Sequence, residues 1–265
     1  MTKKKPAFIL HIPHSSMTIP LKERGRFILS DKALEHELLV MTDHFTDELF
    51  DLESSIATKV IFPISRLVVD AERFLDDQLE IMAKQGMGVL YTHGSEKQII
   101  RESISSLARQ EILSEWYIPH HQKLNEAVGK SLEHHDFCLV IDCHSFPGRP
   151  LPYELNQSMD RPDICIGTDD FHTPGWLVNA IRLVFEKSGF AVKINHPFAG
   201  SLVPSEYYLK NENVFSVMIE INRALYMDEI SGKRLADFDK FSENLKRKIL
   251  EIIKIVLKNR KLARD

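Results

Sequence analysis

The stretch FCLVIDCHS, Phe137 to Ser145, opens with five apolar residues and ends by placing Asp142 and His144 two positions apart. A run so continuously apolar suits a central strand covered on both faces by helices. A second run of the same character, VFSVMIEI from Val214 to Ile221, carries Glu220 near its end. Working outward, shorter β-rich runs occur at AFILHI (7–12), ATKVIF (57–62), DICIGT (163–168) and AVKIN (191–195). Amphipathic segments lie between several of them. Lys32 to Leu52 reads as helical with an interruption near Thr42, and about Arg101 to His134 as helical with a break at Pro119. Pro174 to Lys187 and Leu235 to Leu262 complete the set; in the last, Phe238, Phe241, Leu245, Ile249, Ile252, Ile253 and Val256 recur at the spacing of one buried helical face. Alternation of strands and helices predicts an α/β fold: a single domain over residues 1–265, with a mostly parallel or mixed central sheet and helices on both faces. Gly86 to Gly88, Gly94-Ser95 and SFPGRPLPYELNQSMDRP (145–162) read as loops, the last long enough to wall a site.

Composition narrows the function classes. The 265 residues are 43% hydrophobic and 27% charged with a net charge of -4, which suits a soluble enzyme-sized domain and argues against a general nucleic-acid binder. No apolar run approaches the roughly 20 residues that a membrane span requires. The basic opening MTKKKPAF is followed by a run broken at His11, Pro13 and His14, unlike a signal peptide. Cys138, Cys143 and Cys165 form no CxxC pair, so no thiolate zinc site or disulfide framework is indicated. A cytoplasmic location is the expectation.

In an open α/β sheet, ligands collect beyond the carboxyl ends of the strands. Here those ends carry His11 and His14, then Asp142 and His144, then Glu220 and Arg223. A helix expected to start at Asp43 would put Asp43 and Asp47 on one face. Catalytic zinc takes three His, Asp or Glu ligands and leaves a position open, a set that two strand-end imidazoles and a helix carboxylate can supply. Asp43 reads equally as a helix cap. Glu220, inside an apolar strand, is harder to dismiss, because carboxylates are rarely buried unless paired or functional; its structural reading is a buried partner of Arg223. Asp142 is suited to orienting a ligand histidine. His36, His93, His134, His135 and His172 lie in polar surroundings and read as solvated.

The motifs IPHSS (12–16), TDHFTDELF (42–50), ISRLVVDAERF (64–74), WYIPHHQKL (116–124), IDCHSFP (141–147) and IEINRALYM (219–227) occur in an order that resembles the N-formylglutamate amidohydrolase family, whose fold and logic are similar to those of zinc exopeptidases and zinc amidases. Two departures stand out: DAERF where the family has D-x-N-R-P, and FAGSLVP, with Gly200 alone, where it shows paired glycines. The resemblance implies one Zn2+ ion, or another divalent metal, on His14, Asp43 and His144, with Asp47 as the other carboxylate to weigh. It implies Glu220 as general base and a small N-acyl amino acid, N-formyl-L-glutamate above all, as substrate. His121 is the motif histidine, either hydrogen-bonding an oxyanion or simply starting a helix after Pro119. Arg73, Arg223 and Arg66 are the cationic forks suited to substrate carboxylates, and Ser145 a hydrogen-bonding neighbour without the G-x-S-x-G context of a serine hydrolase. His11 is expected to point toward the core. Another zinc amidase, acting on an acyl or peptidoglycan-like amide, and a non-catalytic binding relative are the alternative functions.

Overall fold

The computed structural model describes residues 6–262, so the basic opening residues 1–5 lie outside it. All six β-rich runs become strands of one sheet: β1 Phe8–Ile12, β2 Thr58–Ile61, β3 Cys138–Phe146, β4 Ile164–Gly167, β5 Val192–Ile194 and β6 Val214–Asn222. Their spatial order is β2-β1-β3-β6-β4-β5. The first four are mutually parallel, and β4 runs antiparallel to β6, so the sheet is mixed. The helices are α1 Leu21–Arg24, α2 Asp31–Met41, α3 Thr46–Leu49, α4 Ser106–Ile112, α5 Ile118–Leu132, α6 Gly175–Glu186 and α7 Phe238–Leu262. Among the described residues no helix is long and apolar enough to cross a membrane.

The two faces of β3 and β6 explain the fold and the site together. Odd-numbered positions such as Ile141, Cys143, Val217 and Ile219 enter the largest core with Leu177 and Ile181 of α6 and Leu245, Ile249 and Ile252 of α7. Each fully buried aliphatic side chain there contributes about 1.5–3 kcal/mol of hydrophobic stabilisation. On the other face Cys138, Val140 and Val214 pack with Leu124 and Val128 of α5, but only along the first half of the strands. Past that point the same face presents Asp142, His144 and Glu220, because side chains two residues apart share a face. Register sets the neighbours: His11 lies beside Asp142, and His144 beside Glu220.

Three expectations are corrected. Pro119 does not break the helix around it: α4 continues through a π turn at Leu113–Tyr117 into α5, and Pro119 directly follows the wide bond of that turn, from the Ile118 amide to the Leu113 carbonyl. No helix starts at Asp43; α3 begins at Thr46, after Phe45 adopts a left-handed φ of 64°. His172 is fully buried rather than solvated, donating from Nδ1 to the Val214 carbonyl (2.6 Å) and accepting the Leu209 amide at Nε2 (2.9 Å). Gly200, in FAGSLVP, has φ 94°, and its carbonyl oxygen would lie 2.2 Å from a Cβ at Gly167, so the close approach needs glycine at 167. This crossing brings the Leu202 amide onto Asp142 Oδ2 at 3.1 Å.

Candidate active site

A cavity of about 710 Å³ opens beyond the carboxyl ends of β1, β3 and β6, with His14, Asp43, His144, Glu220 and the three arginines in its wall. His14 is placed by the turn after β1 and His144 by β3 itself. Asp43 comes from the turn between α2 and α3, pinned by its amide on the His14 carbonyl (3.0 Å) and by Thr46 Oγ1 on its own carbonyl (2.8 Å). The left-handed Phe45 makes that turn possible; such a residue costs on the order of 1–3 kcal/mol, offset by its ring packing on Tyr226 and Phe238.

The two imidazoles are oriented alike. His14 Nε2 lies 2.8 Å from Asp70 Oδ1, and His144 Nε2 lies 3.1 Å from Asp142 Oδ1. Their Nδ1 atoms both face Asp43 Oδ2, at 3.7 Å for His14 and 3.0 Å for His144. Nδ1 of His14 is buried without a hydrogen bond. Carboxylates that hold one ring nitrogen and turn the other toward a shared point are the usual second layer of a metal-ligating histidine. The donor set of two imidazole nitrogens and one carboxylate oxygen fits Zn2+. Asp47 is exposed, outside this set.

Charge follows the geometry. Burial alone would raise Asp43, but His14, His144 and Arg223 hold it well below the usual carboxylate range. Burial likewise opposes protonation of His144, yet Asp142 and Asp43 push its pKa well above the ordinary imidazole value. A cation is thus favoured among these groups. Glu220 differs: burial pushes its pKa up to about 8, and Oε2 has no hydrogen-bond partner. It is a desolvated carboxylate free to exchange a proton.

The arginines divide by commitment. Arg223 binds Ser145 Oγ through Nε (3.2 Å), the Val40 carbonyl through Nη1 (2.6 Å) and Asp43 Oδ1 through Nη2 (2.9 Å). Each of its three nitrogens is engaged, so it braces Asp43 together with Ser145, while both residues still line the cavity. Arg66 donates to Tyr91 Oη (3.2 Å) and Asp70 Oδ2 (2.9 Å). Arg73 is loosest, 3.6 Å from Asp70 and 3.8 Å from Glu80, with no hydrogen bond at Nε. Arg66 and Arg73, seven residues apart, share one wall, both facing Asp70.

His121 lies outside the cavity wall. Its Nε2 donates to the Ala71 carbonyl (2.9 Å), and burial together with His11 pushes its pKa down to about 4. In this structure it braces the loop that carries Asp70, Glu72 and Arg73. His11 is fully buried, as expected, between Asp142 and His120. The motif reading above assigns Asp70 no part in the site, yet it orients His14 and pairs with Arg66. A lone carboxylate between VV and AER is a signal, since Asp70 is fully buried. It also missed Glu72 and Tyr153, both in the cavity wall.

A family model for N-formylglutamate amidohydrolase matches residues 7–227. The crystal structure of N-formylglutamate amidohydrolase from Ralstonia eutropha JMP134 superposes with a TM-score of 0.84 at 22% identity, covering 97% of this chain and 96% of that one. A gene product from Agrobacterium tumefaciens, also a crystal structure, gives a TM-score of 0.66 at 21% identity over 94% and 92% of the two chains. At such identities these two likenesses establish the fold. No curated protein matches the chain in sequence.

Proposed function

Because the chain belongs to the N-formylglutamate amidohydrolase family, we propose that it is a zinc-dependent hydrolase of the amide bond of N-acyl amino acids, releasing formate and L-glutamate from N-formyl-L-glutamate. The observation that carries the reading is the convergence of His14 Nδ1, His144 Nδ1 and Asp43 Oδ2 beside a buried, unpartnered Glu220. When bound by His14, Asp43 and His144, a zinc ion would supply Lewis acidity for activating water and polarising the amide carbonyl.

The chain's own residues do the rest. Asp70 and Asp142 keep the imidazoles in the tautomer that leaves Nδ1 free, and Arg223 holds Asp43 in place. Glu220 accepts a proton from the attacking water and delivers it to the leaving amine, a shuttle suited to a carboxylate whose pKa lies near the working pH. Arg73 offers its guanidinium to a substrate carboxylate, with Arg66 behind it. A second reading, another acyl amide as substrate, is favoured by one observation: Glu72, Glu80 and Glu154 share the cavity wall with these arginines, which makes the pocket less cationic than a dicarboxylate would suit.

The test is formate release from N-formyl-L-glutamate by zinc-loaded protein, with and without chelator, beside N-formyl-L-leucine. Chelator-sensitive turnover with preference for the dicarboxylate supports the proposal. Turnover of neither substrate by metal-loaded, folded protein would overturn it.

A further inference from the structure

We propose that His11, Glu72 and Asp142 form a second divalent-cation site beneath the first. They come from β1, from the Asp70–Arg73 loop and from β3, and one ligand atom of each lies within 4.8 Å of the others. His11 Nδ1 is 2.9 Å from Asp142 Oδ1 and 3.2 Å from Glu72 Oε1. One imidazole N–H thus faces two carboxylates and satisfies one of them. Glu72 Oε1 is left buried without a hydrogen bond, an arrangement that costs stability unless another cation completes it.

The surroundings are those of ligands already oriented. His11 Nε2 lies 2.9 Å from His120 Nε2, so when a cation displaces the proton from Nδ1 the N–H of the other tautomer is held by His120. Asp142 is held on both oxygens, by the Leu202 amide at Oδ2 (3.1 Å) and by His144 at Oδ1 (3.1 Å). One imidazole and two carboxylates suit Zn2+ or Mn2+. Glu72 lines the cavity and gives the ion a way in.

Two consequences follow. Asp142 belongs to both sites, orienting His144 for the first and ligating in the second, so occupancy of one alters the other. The second ion also brings positive charge next to Arg73, where the engagement of Arg66 and Arg223 leaves few cations for an anionic substrate. The inference extends the hydrolase proposal, but its test counts ions rather than turnover.

Full-length protein, stripped of metal, is brought to equilibrium by dialysis against micromolar Zn2+ and, separately, Mn2+, and bound metal is counted per chain. The expected count is two for the unaltered chain, one for Glu72→Gln and one for His14→Ala. Glu72→Asn serves as the second variant, and circular dichroism verifies folding of each. A count of one for the unaltered chain, or a count of two that persists in both folded Glu72 variants, overturns the second site. A count that falls in the Glu72 variants but not in His14→Ala supports the second site and overturns the first.

Discussion

At the residue scale, Glu220 concentrates the chemistry. Arg223 is turned to Asp43, Val40 and Ser145, so Glu220 is not its buried ion-pair partner. Glu220→Gln should therefore keep its zinc and its fold while turnover falls by about 10²–10⁴, the usual contribution of a general base; a near-normal rate per folded molecule would remove Glu220 from the mechanism. The pH dependence carries its own sign. In metal-free protein the folded state holds the Glu220 proton up to about pH 8, whereas an unfolded chain releases it near the ordinary 4.5. Folding then binds the proton more tightly, and this group's contribution to stability declines as pH rises between those values. Gln does not titrate, so the melting temperature of metal-free Glu220→Gln should gain on that of the unaltered protein from about pH 5 to about pH 8.5. A difference flat with pH would place the carboxyl in a solvated setting. Asp70→Asn addresses the partner that sequence reading passed over: loss of the carboxylate behind His14 should weaken metal binding by roughly 10–100-fold, read by chelator competition. Unchanged affinity would assign Asp70 to the arginines alone.

At the scale of elements, the π turn between α4 and α5 is the informative feature. Single π turns inside α-helices recur at functional sites because the extra residue re-aims the side chains around it. Here it faces Tyr117 Oη toward the Arg73 carbonyl at 2.9 Å, one turn before His121 reaches Ala71. Two rings in contact at 4.2 Å between centroids thus clamp the loop that presents Asp70, Glu72 and Arg73. Tyr117→Phe removes one clamp and should cost about 1 kcal/mol of stability. Because the loop carries the freest arginine, KM should rise several-fold with kcat little changed. A fall in kcat at constant KM would show that the clamp serves Asp70 and the metal rather than Arg73.

On the scale of the whole molecule, five carboxylates, three histidines and three arginines meet where strands, turns and a long loop converge, and a cation bound there would tie those elements together. Zinc that binds the folded chain alone stabilises it by about 2.7 kcal/mol at a hundredfold excess over its dissociation constant. For a chain of this size, removal of the metal should lower the melting temperature by roughly 5–10 °C. Restoration by Zn2+ but not by Na+ would separate specific binding from ionic strength. An unchanged melting temperature on chelation would mean that the folded chain does not hold the ion tightly.

The sequence by itself determined the alternation of strands and helices, because apolar periodicity is a local record of which faces are buried. All six strands follow from it, as do the cores beneath α6 and α7. It also determined the chemical types at the strand ends: His14, His144 and Glu220 sit where an α/β sheet collects ligands, and Asp142 stands behind His144 as its spacing suggested. Tertiary structure alone decided which of those groups face one another. Asp43 faces His14 and His144 while Asp47 is exposed, because a left-handed Phe45 delays the helix to Thr46. Arg223 reaches Val40, and His121 reaches Ala71, partners 183 and 50 residues away in the chain. Hydrogen bonds between segments so distant leave no periodicity in the chain, and a directional bond fixes its partner only once packing has brought the two atoms within about 3 Å.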